Sequence, residues 1–350
     1  MVAKQTILLT GGAGYIGSHT AVALADAGYE PILLDNFSNS QPTVLARVEK
    51  ILGRRVLCER GDVRDSNWVR DVLVAHHISA VVHFAGYKAV GESMVNPLKY
   101  YRNNVGGTVS LLDAMHATGC RLIVFSSSAT VYGDPARSPI KEDFPRQPAN
   151  PYGLTKAACE DLMTAVCKSD SCWRSGVLRY FNPVGAHPSG LIGDDPSGMP
   201  NNLMPYVAQV AVGQRKVLDI FGADYATPDG TGVRDYIHVQ DLAGGHVASV
   251  RTLLDGGNSF TVNLGAGCGH SVLEVIRAFE EASGQPVPYR IAPRRAGDVA
   301  AYFADATEAA KILGWHARHN LADMCADAWR WQQTNSAQLK RTENRTLSTA

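Results

Sequence analysis

Short, unbroken apolar runs alternate with stretches of helical character through the first half of the chain. The runs are Thr6–Thr10, Pro31–Asp35, Val56–Glu59, Ala80–Phe84, Leu122–Ser126 and Gly176–Tyr180. They are apolar almost throughout instead of alternating, which is the pattern of strands buried on both faces. Between the first two, Ser18–Ala27 predicts a helix that Gly28 stops. Strand, helix, strand, repeated, predicts an α/β fold built on a Rossmann-type doubly wound parallel sheet.

After Phe181 the texture changes. Proline and glycine become frequent through Asn182–Pro200, and helical stretches are separated by long loops. We expect a first lobe over 1–181, a smaller C-terminal substrate lobe over 182–335, and a loose polar tail over 336–350. Segments 232–243 and 260–267 are expected to return to the first lobe. With 350 residues, 45% hydrophobic and 19% charged, the chain can bury a sizeable core.

Charge narrows the partners. The formal net charge is +0 with no basic stripe, so nucleic acid is not an expected ligand. No apolar run reaches the length of a membrane span, and the N-terminus has no signal-peptide pattern. Seven cysteines without CxxC spacing read as reduced packing residues of a cytoplasmic protein, and no metal site is expected.

The first strand runs into Gly11-Gly12-Ala13-Gly14-Tyr15-Ile16-Gly17, and a helix follows. Gly11 permits the tight turn, Gly14 lets the backbone approach a pyrophosphate, and Gly17 allows helix and sheet to pack closely. The helix N-terminus then offers free N–H groups to the anion. Asp35 ends the second strand, about 24 residues beyond Gly11, where an acid would accept from a ribose 2′-hydroxyl. A carboxylate there repels a 2′-phosphate, so NAD is expected over NADP. Asp62, after the third strand, is either an adenine contact or an ordinary loop acid.

Tyr152 and Lys156 stand four apart behind Pro151, and so share one face if a helix starts there. Ser126-Ser127-Ser128 closes a strand at the sheet edge where ligands bind. A tyrosine titrates near ~10 in water, so serving as a base near neutrality requires about 4 kcal/mol of phenolate stabilisation. A lysine ammonium at about 5 Å supplies about 3 kcal/mol at an effective dielectric of about 20. Lysine is therefore expected to do most of this work, with Ser128 steadying the proton path.

These residues, with the glycine turn and Asp35, resemble an extended short-chain dehydrogenase. Further stretches resemble the UDP-galactose 4-epimerase family within it: His83–Gly86 with Lys88, Ser126–Gly133, Arg179–Gly190, Pro200–Pro205, Gly230–Val239 and Pro293–Asp305. The resemblance runs from about Lys4 to Trp331. It implies a catalytic set of Ser128, Tyr152 and Lys156. Around the cofactor it implies Tyr15, Ile16, Asn36, Val63, Phe84, Ala85 and Gly86, then Lys88, Asn103, Ser126 and Tyr180. For a UDP-sugar it implies Phe181, Asn182, Asn202, Leu203, Arg234, Arg295 and Asp298. Two guanidinium forks suit a diphosphate. Tyr302 matches a position that gates the sugar pocket, and its bulk implies UDP-glucose and UDP-galactose over the N-acetyl forms.

The activity so implied is C4 epimerisation of UDP-galactose and UDP-glucose with bound NAD, in a homodimer paired through Tyr100–Thr118 and Tyr152–Lys168. The alternatives are an epimerase for N-acetylated or uronic sugars, a 4,6-dehydratase, and a non-catalytic NAD-binding redox sensor. A dehydratase has a pair of acids after the active-site hydroxyl, whereas Ala129 and Thr130 follow Ser128 here. A sensor needs the glycine turn but not Ser128, Tyr152 and Lys156 together. His83 reads as a satisfied core residue, Trp329 and Trp331 as core or interface, and His187 has no assigned role.

Overall fold

The computed structural model describes residues 4–195, 202–295 and 298–347, with side chains as far as 335. Pro200 and Asn201 lie outside the described residues. The first half runs β1 (Thr6–Thr10), α1 (Tyr15–Asp26), β2 (Glu30–Asp35), α2 (Thr43–Leu52), β3 (Leu57–Arg60), α3 (Ser66–Ala75) and β4 (Ile78–His83). Two short helices follow, α4 (Val90–Val95) and α5 (Pro97–Tyr100), then a π-helical turn over Tyr101–Val105 and α6 (Gly106–Thr118). Next come β5 (Leu122–Ser128), a single 3-10 turn over Ala129–Tyr132, α7 (Pro151–Ser169) and β6 (Arg174–Tyr180). The second half begins with β7 (Asn182–Val184), α8 (Leu203–Ala211), β8 (Leu218–Phe221), β9 (Val233–Arg234), β10 (Tyr236–His238) and α9 (Val239–Leu254). It ends with β11 (Phe260–Leu264), β12 (His270–Ser271), α10 (Val272–Ser283), β13 (Tyr289–Ala292), β14 (Ala301–Tyr302), α11 (Thr307–Leu313) and α12 (Leu321–Leu347).

Seven strands form one sheet in the order β11-β6-β5-β4-β1-β2-β3, with every pairing parallel. The order runs outward in opposite directions from β1 and β4, so a crevice opens at their carboxyl ends. Both sheet faces are covered. Leu9, Leu33, Val82, Val124 and Leu178 pack toward α1 and α9, burying Leu24 and Val250. Their neighbours Leu8, Ile32, Val81, Ile123 and Val177 pack with Val69 of α3 and Leu111 of α6. This two-sided burial is the reason the strand runs are apolar without alternation.

Beyond β6 the chain builds a second core from Val184, Met204, Val207, Ile220, Phe279 and Met324. Small strand pairs frame it: β7 with β10, β8 with β13, and β9 between β12 and β14. β11 returns to the edge of the main sheet. Three expectations need correction. α1 starts at Tyr15, not Ser18, because the glycine turn ends directly in the helix. The third strand is shifted by one residue. The tail expected to be loose is helical as far as Leu347, because α12 contains neither glycine nor proline to end it.

Several histidines are buried and neutral. Burial lowers His19 and His83 to about 3, and His246 to about 4. His83 is satisfied on both sides, with Nδ1 2.6 Å from Thr10 Oγ1 and Nε2 3.0 Å from Thr108 Oγ1. The unfolded chain protonates these rings near ~6.5 while the folded chain does not, so stability declines as pH falls below that value. Each ring is expected to cost about 2 kcal/mol at about pH 5. Thermal unfolding followed from about pH 7 to about pH 5 checks this, and an unchanged midpoint would refute it.

Candidate active site

The crevice between β1 and β4 holds a cavity of about 420 Å³. The Gly11–Gly17 turn lies along it, and the local packing explains its glycines. A Cβ on Gly11 would meet the Ala85 backbone at 2.8 Å, and one on Gly17 would meet the Gly11 carbonyl at 2.5 Å. Gly14 is the N-cap of α1, with no capping side chain and no acid in the first turn. The amides at that helix end are therefore placed to receive an anion. Asp35 lies nearly buried at the end of β2, where its carboxylate accepts from Ala13 N, Phe37 N and Ser40 Oγ at 2.9 Å each. This cradle and buried acid fit a nicotinamide dinucleotide.

The rim of this cavity carries the other expected cofactor residues: Tyr15, Ile16, Asn36, Asp62, Val63, Phe84, Ala85, Gly86, Lys88, Asn103, Ser126 and Tyr180. Arg64 grips Asp62 with Nε at 2.9 Å and Nη2 at 2.7 Å, and this hydrogen bonding holds the carboxyl down at about 2. Tyr15 donates to the Gly185 carbonyl at 2.7 Å, tying the start of α1 to the loop after β7. Tyr180 Oη meets His246 Nε2 beneath the cavity.

Ser128, Tyr152 and Lys156 converge on the same wall. Asn150 caps α7 by accepting from Gly153 N at 2.9 Å, and Pro151 takes the first helical position. Gly153 is required because a Cβ there would meet the Thr130 carbonyl at 2.9 Å. The first turn of α7 is thereby pressed against the end of β5, which brings Tyr152 to Ser128. Burial raises the Tyr152 phenol above its ordinary value, and a hydrogen bond from Ser128 opposes that rise.

Lys156 stands beside the phenol on the same helix face. Its Nζ donates to the Ser126 carbonyl at 2.5 Å and lies 6.0 Å from the Tyr152 ring centre. Burial lowers it to about 8. At that distance from the ring an ammonium favours the phenolate by about 3 kcal/mol at an effective dielectric of about 20. Its near contact is a main-chain oxygen, which anchors the ammonium beside the phenol.

A second cavity, of about 400 Å³, opens in the C-terminal half. Leu203, Arg234, Arg295 and Asp298 line it, while Asn182 and Asn202 line both cavities. Arg234 Nη2 lies 3.5 Å from Asp298 Oδ1, and the Arg295 guanidinium sits 3.7 Å above the Phe221 ring centre. Sequence reasoning missed Arg215 and Tyr206, which stack at 4.8 Å on this wall. It also missed Ser40, Thr130 and Trp331 at the first cavity. None of these sits at a spacing that marks it.

Tyr302 is the clearest correction among the sugar residues. It lines neither cavity. Its ring rests against Phe181 at 5.6 Å, and its hydroxyl donates to the Ala129 carbonyl at 2.5 Å. Phe181 is the member of this pair that lines the first cavity.

Residues 8–328 match the family model described as GDP-mannose 4,6 dehydratase. The chain is 56% identical over 330 residues to the UDP-glucose 4-epimerase of Yersinia pestis, covering 94% of this chain and 98% of that one. Its fold superposes with a TM-score of 0.94 and 49% identity on a UDP-glucose-4-epimerase from Stenotrophomonas maltophila, solved with NAD and formylated UDP-arabinopyranose. That match covers 95% of this chain and 99% of the other. The Bifidobacterium longum UDP-glucose 4-epimerase, solved with NAD+ and UDP, gives 0.91 and 52% over 95% and 99% of the two chains. Fold, glycine cradle and Ser–Tyr–Lys wall define an extended short-chain dehydrogenase. Within that class the neutral pair Ala129 and Thr130 behind Ser128 separates it from the acid-bearing dehydratases. The chain belongs to the UDP-glucose 4-epimerase family.

Proposed function

We propose that the protein interconverts UDP-galactose and UDP-glucose by transient oxidation at C4. The observation that carries this reading is that the two cavities are neighbours with two residues in common. Ser128 and Tyr152 stand on the wall of the dinucleotide cavity, and Asn182 and Asn202 belong to both that cavity and the arginine-lined one. A nucleotide sugar held by Arg234 and Arg295 at its diphosphate would thus present its hexose to Tyr152.

The cradle over Gly11–Gly17 and Asp35 holds the dinucleotide. When bound, NAD+ supplies the acceptor and later the donor for the C4 hydride, together with a positive charge. Tyr152 takes the proton of the 4-hydroxyl as the C4 carbonyl forms, and Ser128 hydrogen-bonds the same oxygen. The hexose turns about the diphosphate link, and Tyr152 returns the proton as C4 is reduced on its opposite face. The cycle is redox-neutral, so the cofactor stays bound. The division of labour is between a dinucleotide lobe, 1–181 with returns, and a UDP-sugar lobe over 182–335.

Purified protein incubated with UDP-galactose and no added cofactor is expected to form UDP-glucose, read by proton NMR at C4. No conversion even after NAD is added would overturn the reading.

The working form is a homodimer. Met94, Val95 and Leu98 project from α4 and α5, Val109 from α6 and Leu154 from α7, all exposed. α4 and α5 pack on each other and on α7. A second copy of the chain docked on these elements would cover them. Sedimentation at micromolar concentration is expected to give the dimer mass, and Val95→Asp with Leu98→Asp the monomer. A wild-type monomer would exclude this arrangement. No helix among the described residues is long and apolar enough to cross a membrane. The seven free thiols suit the reducing cytoplasm.

A further inference from the structure

Ser128 is held by a residue that lies outside the expected catalytic set. β5 ends at Ser128, the chain turns at once into the 3-10 turn Ala129–Tyr132, and Ser128 is the N-cap of that turn. Thr130 N–H donates to Ser128 Oγ at 3.2 Å, and Thr130 Oγ1 donates to the same atom at 2.9 Å. Thr130 itself lines the cavity. Its carbonyl is the atom against which Gly153 of α7 is pressed, so one residue contacts both Ser128 and the turn that carries Tyr152.

A serine hydroxyl has two lone pairs and one proton. The backbone N–H can only donate, which occupies the first lone pair. With the threonine hydroxyl on the second, the Ser128 proton has no partner left on its own turn and points to the cavity. We propose that Thr130 is a positioning residue for proton transfer: its N–H and hydroxyl fix Ser128 as a donor toward Tyr152 and the sugar 4-oxygen. A donor at the phenol oxygen stabilises phenolate over phenol, in keeping with the lowering that Ser128 exerts on Tyr152. A chain of aligned hydroxyls also strengthens each successive bond. If the direction were reversed, Ser128 would face Tyr152 with a lone pair and disfavour the phenolate.

This inference rests on the epimerase reading above. The groups around the Tyr152 phenol are Lys156 on its own helix, Ser128 on β5, Tyr180 on β6 and Tyr100 on α5. Of these, Lys156 titrates nearest to neutrality, at about 8, so a pH profile alone would mix lysine with tyrosine. Tyrosinate absorbance in the near ultraviolet, taken as the difference from a Tyr152→Phe protein, isolates the phenol.

The test is Thr130→Val, which keeps the N–H and the shape but removes the hydroxyl. In the NAD-containing enzyme, kcat at neutral pH is expected to fall about tenfold while KM for UDP-galactose changes less than about twofold. The acid limb of the kcat profile and the tyrosinate titration should both move to higher pH, because the phenolate has lost support. Thr130→Ser should restore both. In a Ser128→Ala background Thr130→Val should have no further effect, since the residue acts through Ser128. An additive loss in that background, or an unmoved tyrosinate titration, overturns the proposal. If Thr130→Val does not fold, Thr130→Ala enters the same comparisons with the same expected outcomes. Failure of the epimerase reading would instead show as a wild-type protein without turnover.

Discussion

Tyr152→Phe is expected to lower turnover by about a thousandfold, the scale on which a positioned acid–base group contributes. The substitution removes one oxygen from a buried side chain and leaves its ring packing in place. KM should therefore change little, and so should bound dinucleotide. The reason for so large an effect is visible in the balance at the phenol. Burial raises its pKa, and the Ser128 hydrogen bond opposes that rise. Lys156 is anchored on the Ser126 carbonyl, with its ammonium 6.0 Å from the phenol ring centre. Burial leaves Tyr152 a reluctant base in the protein alone, and a cation brought by the cofactor would make it more effective. Without the phenol no other side chain on that wall takes its place, because Ser128 is held by Thr130 and Lys156 is a donor only. Single-turnover transfer measured by nicotinamide absorbance checks the prediction. A variant with near-normal turnover would mean that the proton leaves by another route.

What the residues announced and what they concealed divide along physical lines. Gly11, Gly14, Gly17 and Asp35 were legible because a dinucleotide needs them within one strand–turn–helix unit, and the turn's own packing forbids larger side chains at Gly11 and Gly17. Ser128, Tyr152 and Lys156 were legible because strand end and helix start place them on one wall. The arginine-lined cavity was legible only through resemblance, since Arg234 and Arg295 meet across β9 and the segment after β13, far apart in sequence. Arg215 carries no mark at all, lying on an ordinary turn after α8. The four-residue spacing of Lys156 from Tyr152 fixes the helix face but not the atom on which the ammonium rests, the Ser126 carbonyl. Likewise, the position of Tyr302 in the chain could not reveal that its ring packs against Phe181 at 5.6 Å, with Phe181 lining the cavity.

Glu160→Ala should be strongly destabilising, because it uncovers a buried charge. Glu160 lies on α7, one turn beyond Lys156, and is 4% exposed, while Arg179 on β6 is 6% exposed. The carboxylate accepts from Arg179 Nε at 3.0 Å and Nη2 at 2.7 Å, from Ser127 Oγ at 2.5 Å, and from Arg146 Nη1 at 3.3 Å. Arg179 Nη1 also donates to Tyr132 Oη and the Glu142 carbonyl. This network clamps the helix that carries Tyr152 and Lys156 onto the two strands beside it. Removing the carboxylate leaves a guanidinium with neutral acceptors only, at an expected cost of about 3–5 kcal/mol in denaturant unfolding. Replacing both partners by apolar residues, Glu160→Leu with Arg179→Met, should cost far less, because neither member of the pair is then left buried without the other. The double variant separates two roles of the pair. If it regains stability but not turnover, the ion pair serves chiefly to hold α7 in register against β5 and β6. If it regains both, ordinary packing positions the helix well enough. If Glu160→Ala is as stable as the parent, solvent reaches Arg179 and the clamp is not closed.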